Sequence, residues 1–128
     1  MQCEVEAWTS PLQDMVEKSC ARRGQKTVIL ATGDPTYYGI GNTFVRNGIP
    51  IEETRMIPAP SAFSLACACL GWAQQDVETV SLHGRPDALI GPLIQPGAKI
   101  LALTAGEKTA YAVADMLVKR GFADSLMT

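Results

Sequence analysis

The sequence predicts an α/β protein in which strands and helices alternate. Three observations carry that reading. Short apolar runs of strand length recur along the chain. Stretches with apolar residues at helical spacing lie between them. Gly or Pro closes almost every stretch. Strands that alternate with helices pair in parallel and bury their faces under the helices.

The elements follow in order. Ser10, Pro11 and Gln13 read as a helix start with a capping box. Leu12, Met15, Val16, Ser19 and Cys20 then recur at helical spacing, and Gly24 ends the run. Residues 27–31 (TVILA) form an apolar run typical of a strand buried on both faces. Residues 32–35 turn out of it. Residues 37–47 read as a helix stopped by Gly48, and residues 53–57 as a second strand. Pro58 and Pro60 break the chain. Residues 61–70 read as a helix with Gly71 beyond its end. Residues 77–82 are a strand, 87–94 a short helix and 99–104 a further strand. Residues 107–120 form an amphipathic helix closed by Gly121. The 58–60 break is the predicted domain boundary. No internal repeat is visible.

Composition excludes several classes. At 128 residues, the chain suits one modest domain. Hydrophobic residues make up 47% and charged residues 19%, which argues against disorder. Net charge is −2 with acids and bases mixed, so no nucleic-acid footprint is expected. The most apolar stretch, residues 62–73, falls short of the ~18–20 residues a membrane span needs. No secretion signal is visible at the start, so a soluble cytoplasmic protein is expected. The four cysteines, Cys3, Cys20, Cys67 and Cys69, contain no Cys-x-x-Cys pair and read as reduced structural thiols. Cys67 and Cys69 lie in an apolar run where buried thiols are common. With His83 as the single histidine, a His-rich metal centre is not expected.

In open α/β sheets, ligands bind beyond the carboxyl ends of strands. Three segments qualify. In ATGDPTYYGIG, residues 31–41, Gly33 permits a tight turn and close approach to the backbone. Asp34 can cap the following helix, with Pro35 at its first position. Gly39 and Gly41 add small-residue contacts. A capped turn with no ligand is the plainer reading. In IPAPSAF, residues 57–63, two prolines stiffen the entry to a helix that Ser61 can cap. Free N–H groups there can hold a polar ligand, or the segment is a cap and nothing more. In SLHGRP, residues 81–86, Arg85 can clamp a carboxylate and His83 can hydrogen-bond or shuttle a proton. A polar turn is the alternative there as well.

Taken together, ATGDPTYYGIG, IPAPSAFSLACACLGW and QDVETVSLHGRP resemble the tetrapyrrole (corrin/porphyrin) methylase family. The similarity runs from about Trp8 to Ser125. The GDP turn is shared widely in that fold; the combination of PAPSAFSLA, LGW and SLHGRP is more specific. The resemblance implies two α/β domains with the active site in the cleft between them. On this reading, residues 1–58 are the remainder of the amino-terminal domain and 59–128 the first part of the carboxy-terminal one. It implies S-adenosylmethionine as cosubstrate, no metal, and a precorrin-type tetrapyrrole of cobalamin synthesis as substrate. It carries over Thr32, Gly33, Asp34 and Tyr37 as cofactor contacts, with Ser61, Ala62, Leu82 and His83 completing them.

The chain also departs from the family pattern. The opening strand and Gly-x-Gly-Pro-Gly turn are missing, and further strands of the second domain are not reached. A central fragment is therefore expected, with opened edges that favour a homodimer or larger self-association. Cys69 stands where similar sequences suggest Arg. Methyl transfer from a sulfonium needs alignment and exclusion of water more than acid–base help. His83 is the one side chain whose ordinary pKa suits removal of a proton near neutral pH, which makes it the candidate base. Arg85 and Arg55 are the candidate anchors for substrate carboxylates. A generic α/β nucleotide-binding module and an inactive, self-associating fragment are the rival readings.

Overall fold

The computed structural model describes residues 4–128. They form a mixed α/β structure that divides into two compact units, one ending at Ser61 and the other spanning Ala62–Thr128. Cys3 lies outside the described residues.

In the first unit, α1 spans Leu12–Ala21 and α2 spans Gly41–Arg46. The two helices pack together, and Gln13 Nε2 donates to Asn47 Oδ1 at 3.3 Å across them. Met15, Val16 and Phe44 are the buried apolar residues here. Trp8 covers Phe44 with a tilted ring contact at 6.4 Å. The expected capping box at α1 does not form. Pro11 is the N-cap, without a side-chain cap bond, and Gln13 turns instead to Glu17 and Asn47.

Two further expectations are corrected in this unit. Residues 27–31 are not in a strand; Trp8 Nε1–H donates to the Leu30 carbonyl at 3.2 Å. Val28 and Leu30 stand 75% and 81% exposed. A strand exists only as part of a ladder, and no described segment supplies a neighbour for this one. Residues 53–57 are likewise not a strand. Pro50 leads instead into a 3₁₀ turn, Ile51–Glu53, where Arg23 forms an ion pair with Glu53.

The second unit follows its sequence closely. Helix α3 is Ala62–Leu70, β1 is Glu78–Ser81, β2 is Ile100–Leu103 and α4 is Glu107–Lys119. The strands pair in parallel, with Glu78 opposite Ile100 and Ser81 opposite Leu103. The expected short helix between them is a 3₁₀ helix, Asp87–Leu93, with Pro92 inside it. Val80, Leu82, Ile90, Ile94 and Val113 form the core, and Met116, Leu117 and Phe122 pack on it. The amphipathic α4 therefore covers the strand pair. Beyond its end, the Phe122 N–H bonds to the Leu117 carbonyl at 2.9 Å and Gly121 N–H to Val118 at 3.0 Å. That double bond pattern is a Schellman stop. In α3, Cys67 is buried as expected, whereas Cys69 is exposed on the other side of the helix.

Candidate cofactor and substrate site

The GDP segment is a turn held by one side chain. Asp34 Oδ1 accepts from the Thr36 N–H at 2.7 Å, the Thr36 hydroxyl at 2.5 Å and the Tyr37 N–H at 3.2 Å. This is the local closure that Asp makes with backbone two and three residues ahead. Asp34 therefore does not cap a helix, as its sequence context suggests. Residues 36–39 continue as bends and residue 40 as a turn, and α2 begins only at Gly41. The reason is steric. A Cβ on Gly39 would lie 2.1 Å from the Asp34 carbonyl oxygen, and one on Gly41 would lie 2.7 Å from that of Pro35. The glycines let the chain fold back on residues 34–35 before the helix starts.

Gly33 plays a different part. Its φ is +73°, the left-handed region that a side chain disfavours, and a Cβ there would meet nothing within 4 Å. The backbone of this turn is thus open to approach. Thr32 and Tyr37 are exposed beside it. Tyr38 also has a positive φ, 54°, and its ring centroid lies 5.1 Å from that of Tyr37.

Asp34 is held below the usual carboxylate range, first by the Thr36 hydroxyl and then by backbone N–H groups of Thr36, Tyr37 and Ala59, which burial partly opposes. Ser61 is buried immediately before α3, and Ala62, the first residue of α3, is exposed.

In the second unit, Leu82 follows the end of β1. Its N–H bonds to the Leu103 carbonyl at 2.8 Å, and its side chain is fully buried in the core. Leu82 can therefore offer a ligand only its backbone. The Arg85 N–H returns to the Leu82 carbonyl at 3.2 Å, which closes a turn. His83 and Arg85 stand exposed on that turn, beyond the carboxyl end of a parallel strand. Arg55 is exposed in the first unit. An open cleft lined by Arg23, Gly24, Gln25, Lys26 and Glu53 contains none of the predicted contacts. Among the described residues, no group of His, Cys, Asp and Glu is arranged to hold a metal ion.

The structure thus closes residues 34–37 into one turn, and separately gathers Leu82, His83 and Arg85 on another. Sequence reasoning missed Thr36, which the Asp-x-Thr spacing signals.

An α/β protein whose candidate contacts lie in turns beyond strand and helix ends is the class these features define. Residues 5–126 match the family of Tetrapyrrole (Corrin/Porphyrin) Methylases, and the chain belongs to it. A relative from Sinorhizobium sp. named precorrin-6Y C(5,15)-methyltransferase [decarboxylating] is 46% identical over 125 residues, 98% of this chain and 30% of the relative. One of the same name from Mycobacterium tuberculosis (strain CDC 1551 / Oshkosh) is 30% identical over 119 residues, 92% of this chain and 29% of the relative. A cobalt-precorrin-7 C(5)-methyltransferase from Salmonella typhimurium is 45% identical over 65 residues, 51% of this chain and 32% of the relative. The chain thus spans about a third of the length of these relatives. No solved structure matches it. No helix among the described residues is long and apolar enough to cross a membrane.

Proposed function

We propose that this chain is part of an S-adenosylmethionine-dependent C-methyltransferase that methylates a precorrin at carbon 5 in cobalamin biosynthesis. The observation that carries the reading is the similarity to two kinds of relative. One is named for carbons 5 and 15, the other for carbon 5 alone, and carbon 5 is common to both names. The segment they share with this chain is therefore assigned to the carbon 5 reaction.

The residues fit the cosubstrate. Gly33 leaves the backbone of the GDP turn uncovered, and Thr32 and Tyr37 flank it. S-adenosylmethionine supplies a methyl group already activated by its cationic sulfur. The chain's own work is to bind, orient and exclude water. Thr32, Gly33, Asp34 and Tyr37 form one set of contacts, with Ser61 and Ala62 following. Leu82 contributes backbone and His83 its imidazole. His83 is the candidate acceptor of the proton that leaves the ring. Arg85, with Arg55 as a second anchor, binds carboxylates of the tetrapyrrole.

The test is an exchange of the 125 aligned residues into the Sinorhizobium relative, followed by reaction with methyl-¹³C cosubstrate and precorrin-6Y. Label at carbon 5 supports the reading. A folded chimera that binds cosubstrate and leaves carbon 5 unlabelled rejects it. Self-association is a separate reading, favoured by the exposure of Val28 and Leu30. It is compatible with the first.

A further inference from the structure

We propose that Tyr38 is a positioning residue of the cosubstrate site: a left-handed backbone at Tyr38 brings its ring onto that of Tyr37 and fixes the direction in which Tyr37 meets the ligand. The part played towards the ligand rests on the function proposed above; the fixing of one ring by the other does not.

Side chains adjacent in sequence do not face each other in regular structure. They diverge around a helix and point to opposite faces of a strand. The rings of Tyr37 and Tyr38 nevertheless lie with centroids 5.1 Å apart and planes inclined at 53°, a favourable tilted aromatic pair. The irregular step that allows this is the φ of +54° at Tyr38. Among the described residues, Tyr38 alone combines a side chain with a positive φ, and a bulky residue in that region is strained. The chain on either side of it is held. The Tyr37 N–H donates to Asp34 Oδ1 at 3.2 Å, and Gly39 lies so close to residues 34–35 that no Cβ fits there. A glycine at 38 would close the same turn without the strain, so this position is used for its ring. Tyr37 and Tyr38 are 42% and 44% exposed, so the paired rings support each other and stay open to a ligand.

Nuclear magnetic resonance of the whole labelled chain tests this. Tyr38→Gly and Tyr38→Asn both accept the left-handed region and remove the ring, whereas Tyr38→Phe keeps the ring. In the parent and in Tyr38→Phe, nuclear Overhauser contacts should join the two rings. In Tyr38→Gly and Tyr38→Asn, the Tyr37 ring signals should move to those of an unrestrained tyrosine. The Thr36 and Tyr37 amides should keep the small temperature coefficients of hydrogen-bonded groups. Affinity for S-adenosylhomocysteine should fall roughly two- to tenfold in those two variants, the worth of one aromatic pair, and return in Tyr38→Phe. Parent affinity in Tyr38→Gly and Tyr38→Asn would overturn the proposal, and so would an unmoved Tyr37 ring. Loss of the turn's amide bonds in both variants would overturn it as well, since the ring would then hold up the turn rather than aim Tyr37. If S-adenosylhomocysteine shifts no amide of residues 32–37 in the parent, the cosubstrate reading fails and the positioning role falls with it. The ring signals still decide whether Tyr38 fixes Tyr37.

Discussion

Gly33 and Gly39 belong to one short motif and are needed for opposite reasons. Gly33 has room but an unfavourable φ; Gly39 has no room. Gly33→Val should cost the fold only ~1–2 kcal/mol, the usual penalty for a side chain in the left-handed region. It should weaken S-adenosylhomocysteine binding by roughly tenfold or more, since a branched side chain then stands where the ligand approaches. Parallel urea melts and ligand titrations separate the two effects. Unchanged affinity in a folded Gly33→Val protein would reject the assigned contact. Gly39→Ala should do the reverse. A Cβ 2.1 Å from a backbone oxygen forces the turn apart, at ~1–3 kcal/mol or more of stability. A melt of Gly39→Ala like that of the parent would show that the turn is not closed as described. The sequence made Asp34, Gly33 and Gly39 legible as residues of interest. It did not reveal the job of Asp34, because an Asp that caps a helix and one that closes a turn onto Thr36 and Tyr37 carry the same local signal.

Elements were legible where local pattern and burial agree. Helix α4 has apolar residues at helical spacing and Gly121 beyond its end, and it forms as read. Strand β2 is an apolar run, ILAL, and β1 a mixed one, ETVS; each has the other as partner, so both form. The TVILA run is apolar like β2 and has no partner among the described residues, so no ladder forms. Strand identity is thus a property of a pair, which one segment's composition does not contain. At β1, the energetic role of Leu82 is now separable from its place in the site. Its side chain is fully buried in the second unit's core. Leu82→Ala should cost ~2–5 kcal/mol. Hydrogen exchange should show the loss in β1, β2 and α4, whereas the turn at Asp34 should keep its protection. Equal loss in both units would contradict their description as separate compact bodies.

For the whole molecule, two consequences follow. Val28 and Leu30 present apolar surface on a segment that lies in no helix or strand, which invites pairing with another chain. Sedimentation should show concentration-dependent self-association, and the double variant Val28→Lys, Leu30→Lys should raise the monomer fraction. An unaltered distribution would place the contact elsewhere. The other consequence concerns function. Family membership rests on nearly the whole chain, whereas the proposed contacts are distributed over two units, Thr32 to Ser61 in one and Ala62 to Arg85 in the other.

The most direct test of the central claim is a titration of the labelled chain with S-adenosylhomocysteine up to its solubility limit, beside NAD and ATP. Amide mapping detects even weak binding at named residues. The account predicts shifts concentrated at Thr32, Gly33, Asp34 and Tyr37, with smaller ones at Ser61, Leu82 and His83, from S-adenosylhomocysteine and not from the other two. No shift at 32–37, or the same shifts from NAD or ATP, would contradict the assignment of this turn to the methyl donor.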